Sequence, residues 1–286
     1  MPTLTSVDRS HLYQAFMEAF ADYQMDASRT TEEGLLLRAA KNAVDFDASV
    51  GLYDEGKLVG FTLIGIDAID GAQTAFDAGT GIVPTFRKQG WARAMFDHAL
   101  PELRARGVSR FLLEVLQENE PAVKAYRKSG FEIVRELRCY VAETAKLREL
   151  SDRGVVEIRP VEPATIIGLS DARDWTPSFE NRLSALLSTP TETVCLAAFD
   201  EEQCVGGVAY IPALNWLLSL TVSPAHRRRG VAGALLHHLS VRIPDSVTRL
   251  SALNVDGSDT GMQAFLGAVG FEPLVDQYEM ARGIDA

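Results

Sequence analysis

The sequence predicts an α/β protein of the α+β kind, built as two tandem domains, each a mixed sheet flanked by helices. Three observations carry this. At 286 residues the chain is long for one small domain and sufficient for two. Shifted by 140 positions it falls into register with itself without a gap, Thr80–Glu132 onto Leu220–Glu272. Strand-like and helix-like stretches then follow in the same order in both halves.

The matches cluster where turns and glycines lie. They include Pro84/Pro224, Arg87/Arg227, Gly90/Gly230, Ala92/Ala232, Ala94/Ala234 and His98/His238. They resume at Leu113/Leu253, Val115/Val255 and Gly130-Phe131-Glu132/Gly270-Phe271-Glu272. An upstream echo, Val59-Gly60 against Val205-Gly206, needs a different offset, which puts extra residues of the first copy near Ile69–Gly79. Duplication of one domain explains the pattern, with the expected boundary between residues 147 and 148.

In the first copy Asp8 suits a helix N-cap, and Leu12, Phe16 and Phe20 recur on one helical face. A second helix is expected near Thr31–Asn42. Strands Ser49–Tyr53 and Leu58–Ile66 flank Asp54-Glu55-Gly56, a hairpin turn signal. A third strand near Ala75–Val83 leads through Pro84 into a helix at Trp91–Arg106, with Pro101 a potential kink or stop. Strand Arg110–Leu116, a helix near Pro121–Lys128, and a strand from Phe131 toward Val141 complete the copy. Thr144–Gly154 reads as a polar linker.

In the second copy Val156–Arg159 reads as a strand and Ala164–Ala172 as a helix. Cys195–Phe199, Val205–Ile211 and Trp216–Val222 read as strands, followed by a helix at Val231–Val241.

Composition narrows the function. A net charge of −11 and a pI near 5.0 argue against a general nucleic-acid binder and favour a cationic partner. Cys139, Cys195 and Cys204 are far apart and odd in number, so neither a disulfide framework nor a metal site is expected. The N-terminus lacks a signal-peptide pattern, and no apolar run reaches the ~20 residues of a membrane span. A cytoplasmic protein is expected, with no membrane partner.

The chemistry-bearing feature is a strand ending in Pro, then Arg-x-x-Gly-x-Ala, then an amphipathic helix. It occurs as Arg87-Lys88-Gln89-Gly90-Trp91-Ala92 and again as Arg227-Arg228-Arg229-Gly230-Val231-Ala232. A helix N-terminus offers unpartnered N–H groups and partial positive charge, and glycine lets the backbone curl close to a ligand. Such a loop suits a phosphate or pyrophosphate. Neither GxGxxG nor GxxxxGK[ST] is present.

Val83-Pro84-x-x-Arg87-x-x-Gly90-x-Ala92, followed by Asn119-x-x-Ala122-x-x-x-Tyr126-x-x-x-Gly130-Phe131, resembles the two signature motifs of the GNAT superfamily of acetyltransferases. The resemblance covers most of residues 1–143 and, less completely, 156–282. It implies two tandem GNAT-type domains, each a mixed, mostly antiparallel sheet splayed open to admit acetyl-CoA as co-substrate. It further implies that the backbone of Ile82 and Val83 pairs with the pantetheine amides, that Lys88 through Ala92 hold the pyrophosphate, and that Asn119 positions the cofactor arm. Tyr126 becomes a general acid toward the departing thiolate. For the general base, Glu114 and Asp77 are both candidates.

At the 140 offset Asn119 becomes Asp259, Ala122 becomes Met262 and Tyr126 becomes Leu266. The second copy therefore keeps a phosphate loop but lacks the candidate acid. The expected function is N-acetylation of a small-molecule or peptide amine by direct attack in a ternary complex, catalysed by residues 1–147. Residues 148–286 would be a degenerate, cofactor-binding or structural domain. The alternatives are an acyl-CoA-binding regulatory module and a transferase of longer acyl groups. Tyr13, Phe16, Tyr23 and Met25 are acceptor-side candidates by position, and a monomer is expected.

Overall fold

Side-chain caps set the first two helices. Asp8 accepts from the Ser10 N–H at 2.9 Å, and Thr31 accepts from the Gly34 N–H at 3.0 Å. In this computed structural model, which describes residues 2–22, 30–152, 154, 156–189 and 193–284, strand β1 (Thr3–Ser6) precedes helices α1 (Arg9–Ala19) and α2 (Glu32–Lys41). Strands β2 (Val44–Asp54) and β3 (Lys57–Ile69) then meet across Glu55-Gly56. Both turn residues have positive φ, 48° and 81°, the backbone of a tight hairpin.

Strand β4 (Ala72–Ile82) follows, then a 3₁₀ turn at Pro84–Phe86 and helix α3 (Trp91–Ala105). The helix runs through Pro101 to Ala105 without stopping there. Next come β5 (Arg110–Leu116), α4 (Glu120–Lys128) and β6 (Glu132–Glu143). The extra residues of the first copy lengthen the hairpin between β3 and β4.

The segment expected as a linker contains a helix, α5 (Thr144–Arg148). Its Leu147 is fully buried, and Arg148 donates to the carbonyls of Ser240 and Ile243, so these residues belong to a core. Polar composition concealed one inward leucine.

The second copy continues with β7 (Glu157–Pro160) and a short α6 (Pro163–Ile167). The longer helix expected at Ala164–Ala172 breaks at Gly168 and resumes as a 3₁₀ turn, Ser170–Ala172. After α7 (Ala185–Ser188) come β8 (Val194–Asp200), β9 (Gln203–Ile211) and β10 (Trp216–Val222). Helix α8 (Val231–Ser240), β11 (Arg249–Asp256), α9 (Thr260–Ala268) and β12 (Glu272–Gly283) end the chain's regular structure. Among the described residues no helix is long and apolar enough to cross a membrane.

The chain divides into two compact units, Met1–Val134 with Tyr278–Ala286, and Arg135–Gln277. The boundary at residue 147 counts repeats along the chain, whereas the compact units count what packs together. They differ in the last strand of each copy.

In the first unit the sheet runs β1-β2-β3-β4-β5 and then the end of β12. From β1 to β5 the neighbouring strands pair antiparallel except β4 and β5, which run parallel. Met95, Phe96, Ala99 and Leu103 of α3 form one core with Phe111, Leu113 and Phe131. Met280 and Ile284, from the far end of the chain, complete that core. In the second unit residues 137–143 of β6 pair antiparallel with β11, and the order continues β10-β9-β8-β7. There Tyr140 and Ala142 share a core with Leu235, Leu236 and Leu239 of α8. Each copy thus gives its final strand to the unit built mainly from the other copy.

Candidate active site

In the first unit β4 pairs with β5 only at Thr74, Ala75 and Phe76, so the strands part beyond Phe76. In the second unit β10 meets β11 only at Trp216. Each sheet therefore opens into a wedge on the side where a basic loop follows. A β-bulge sits at the start of each wedge. Leu63 faces Gly79 and Ile64 faces Asp77, which leaves Ala78 as the extra residue. Leu218 is its counterpart, between Leu217 and Ser219.

The loops are built alike. Gly90 and Gly230 take φ of 87° and 92° at the N-caps of α3 and α8, with no side-chain cap. Lys88 and Arg228 both take φ of 62°. A Cβ at Gly90 would meet nothing within 4 Å, so the glycine faces open space and its conformation demands it. The first-turn N–H groups of both helices thus have no side-chain cap, a setting that fits an anionic group.

The arginine that opens each loop holds it from within. Arg87 Nε donates to Ile82 O at 2.9 Å, and Nη2 donates to Ala19 O at 2.8 Å. Both terminal nitrogens lie 2.7 Å from the Asp22 carboxylate. Arg227 repeats this with Val222 O, Ala172 O and Asp174. Gln89 donates to Thr85 O and accepts from the Trp91 indole, and Arg229 lies 3.7 Å from Asp200. Val231 is buried in the second core, and Ala232 borders the cleft.

At the strand end, Val83 N–H donates to Val59 O at 3.0 Å, toward β3. Strand alternation then turns the N–H of Ile82 toward the wedge. Asn119 caps α4 by accepting from the Ala122 N–H at 3.2 Å. Asp259 does the same for Met262 at 2.8 Å, so the exchange between copies preserves a cap.

Tyr126 Oη lies 3.5 Å from Asp77 Oδ2. Its ring stands edge-on to Phe96 and Phe131, with centroids 5.9 and 6.0 Å away. Asp77 is buried, and burial pushes its carboxyl up to about 6. Hydrogen bonds from the Thr80 hydroxyl at 2.9 Å, the Gly79 N–H at 3.1 Å and Tyr126 restrain that rise. Phe111, Leu113 and Val115 of β5 enter the core against which Tyr126 packs. By alternation Glu114 falls on the other face of that strand. A carboxylate within reach of the Tyr126 hydroxyl is thus Asp77.

Sequence reasoning did not single out Thr80 or Asp22. The spacing Asp77-x-x-Thr80 was a usable signal for the first, whereas the pairing of Asp22 with Arg87 is visible only in three dimensions. Tyr13 donates to Thr30 O, and Phe16 packs on Phe20 and Phe61 in a small core. Tyr23 and Met25 lie outside the described residues.

Two splayed sheets, each opening on an uncapped helix start, define the class of α/β protein to which the chain belongs. The acetyltransferase (GNAT) family pattern matches the chain twice, over residues 10–131 and 162–271, and the chain belongs to that family. It is 35% identical over 82 residues to streptothricin acetyltransferase of Streptomyces lavendulae, covering 29% of this chain and 42% of the relative. It is 32% identical over 93 residues to [ribosomal protein bS18]-alanine N-acetyltransferase of Escherichia coli (strain K12), covering 32% and 60%. It is 31% identical over 134 residues to mycothiol acetyltransferase of Thermobifida fusca (strain YX), covering 44% and 41%. The chain thus spans less than two thirds of each relative's own length.

A GCN5-related N-acetyltransferase of Sphaerobacter thermophilus superposes with a TM-score of 0.74 at 15% identity, over 100% of this chain and 96% of that one. A tandem GNAT protein from the clavulanic acid biosynthesis pathway gives 0.72 at 14%, over 100% and 99%. Both likenesses concern the fold.

Proposed function

We propose that the first unit is an acetyl-CoA-dependent N-acetyltransferase acting on a primary amine by direct attack. The observation that carries this is the pairing of Asp77 with Tyr126 where the sheet of that unit opens. The backbone N–H groups of Lys88 through Ala92 hold the pyrophosphate, with Arg87 fixing the loop from behind. The Ile82 N–H meets the pantetheine arm. Acetyl-CoA supplies an activated acetyl group as its thioester.

Asp77 accepts a proton from the acceptor ammonium, the free amine nitrogen forms its bond to the acetyl carbon while the carbon–sulfur bond breaks, and the second proton that the nitrogen sheds on becoming an amide leaves to solvent. Tyr126 gives its hydroxyl proton to the departing thiolate and regains one from Asp77. A carboxyl near 6 is largely ionised at neutral pH yet basic enough to take the proton. Glu114 is the rival base. The second unit carries Leu217 and Leu266 in place of Asp77 and Tyr126, which supports a role in binding rather than turnover. An acidic chain suits a cationic acceptor in either case.

The test is calorimetric titration of acetyl-CoA into the wild type and the Gly90→Glu and Gly230→Glu variants, alongside turnover of model amines. Two sites, one lost in each variant, and activity lost only with Gly90→Glu would support the reading. Activity that survives Gly90→Glu and vanishes with Gly230→Glu would reverse the roles of the two units. No binding of acetyl-CoA to the wild type would end the assignment.

A further inference from the structure

The second unit carries an open cleft of about 770 Å³ that runs from its basic loop, at Arg228 and Gly230, to the bulge at Leu217–Ser219. Its inner end is apolar, with Leu217, Met262 and Phe265 on the wall. One charge stands there. Arg173 lines the cavity, and its Nη2 donates to Ser219 Oγ at 2.7 Å. Among the described residues no carboxylate pairs with this guanidinium.

Of the other charged residues on the wall, Arg227 pairs with Asp174, Asp256 pairs with Arg135, Asp259 caps α9 through the Met262 N–H, and Arg228 lies in the loop itself. Arg173 is half-buried, and that burial pulls its guanidinium down to about 10, so it keeps its charge at neutral pH while only part of it meets water. In the first unit the arginine latch reaches Ala19 and Asp22, and the residues between are Phe20 and Ala21, with no charge. The cation is thus particular to the second unit.

Its position identifies what it can meet. Ser219 lies three residues before Val222, about 10 Å along a strand and at the opposite end of the wedge from the loop. In the first unit the equivalent place is Gly79, beside Asp77. Arg173 therefore stands at the acyl end rather than the phosphate end. An ammonium there would be repelled, and a plain acetyl group would leave the guanidinium unanswered. We propose that the cleft of the second unit takes a coenzyme A thioester whose short acyl chain ends in a carboxylate, which Arg173 engages through charge-assisted hydrogen bonds. This rests on the reading of Arg227–Ala232 as the pyrophosphate loop.

The experiment uses the full chain carrying Gly90→Glu, which closes the first cleft, titrated with acetyl-CoA, succinyl-CoA and sodium succinate. Succinyl-CoA is expected to bind at least about tenfold tighter than acetyl-CoA. That ratio falls to about one with Arg173→Met and is partly kept with Arg173→Lys, thermal melting confirming that each variant folds. Equal affinity for the two thioesters overturns the proposal while leaving the loop reading intact. A preference that persists in Arg173→Met overturns it as well. If neither thioester binds, the loop reading fails for this unit and the proposal fails with it. If free succinate binds as tightly as succinyl-CoA, the site serves a free carboxylate and the thioester form is overturned.

Discussion

The hydroxyl of Tyr126 meets the carboxylate of Asp77 at 3.5 Å in the first unit, and the second unit carries leucine at both equivalent positions, Leu266 and Leu217. Both members of the pair are absent together in the second unit. Tyr126→Phe and Asp77→Asn should each lower kcat by about 100- to 10,000-fold while changing KM for acetyl-CoA little. Steady-state kinetics with Glu114→Gln in parallel discriminates the two bases. A larger loss from Glu114→Gln than from Asp77→Asn would move the role to Glu114.

The carboxyl of Asp77 also sets a pH dependence. Its folded value of about 6 lies above the ordinary 3.8, so the folded chain binds more protons than the unfolded one between those limits. Its contribution to stability is present below pH 3.8 and is lost as the pH rises through 6. Activity should do the opposite, with kcat/KM rising through about pH 6. Asp77→Asn should flatten the pH dependence of unfolding and stabilise the protein at pH 8 by on the order of 1–3 kcal/mol. Chemical denaturation at pH 5 and pH 8 measures both effects, and a wild-type stability that climbs between them at this site would contradict the sign.

Arg87 has three acceptors in a fixed fork, Ile82 O, Ala19 O and the Asp22 carboxylate. Lysine cannot reproduce that fork. Arg87→Lys and Arg87→Ala should therefore raise KM for acetyl-CoA by similar factors, about tenfold, with a smaller effect on kcat. A lysine variant that restores wild-type KM would show that charge alone matters, and that Arg87 contacts the ligand directly.

Gly90 sits at φ 87° with empty space where a Cβ would stand. Alanine there meets backbone strain without a clash, and should cost about 1 kcal/mol of stability while acetyl-CoA still binds. Glutamate fills the hollow with charge and should abolish binding to that unit. Melting temperatures together with titration separate strain from occlusion.

Met280 is fully buried in the first unit although its residue number places it in the second repeat. Met280→Ala should cost about 2–5 kcal/mol, with the loss felt in residues 1–134. Hydrogen exchange resolved by peptide checks this. Deprotection confined to residues 135–277 would contradict the exchange of strands.

Much of this was legible in the sequence because local signals agreed with the fold. Asp8, Thr31 and Asn119 announce helix starts through their own side chains, and each performs that cap. The phosphate loops are equally visible, since Gly90 and Gly230 must take a backbone few other residues tolerate. Leu147 was lost among charges, and Gly168 breaks a helix whose apolar pattern continues beyond it. The approach of Asp77 to Tyr126 was not legible, because it depends on which strand face Tyr126 packs against. The exchange of last strands is invisible to any local rule: β6 and β12 have equivalent patterns, and either could complete either sheet by composition alone.

That exchange constrains how such a chain can evolve. A duplicated copy that carries Leu217 and Leu266 where the other carries Asp77 and Tyr126 would ordinarily be free to decay or be deleted. Here the second copy holds Met280 and Ile284, which the first unit needs for its own core. Selection for a folded first unit therefore maintains sequence in the second repeat. That copy is kept in repair by a core to which it contributes, whatever its own cleft binds.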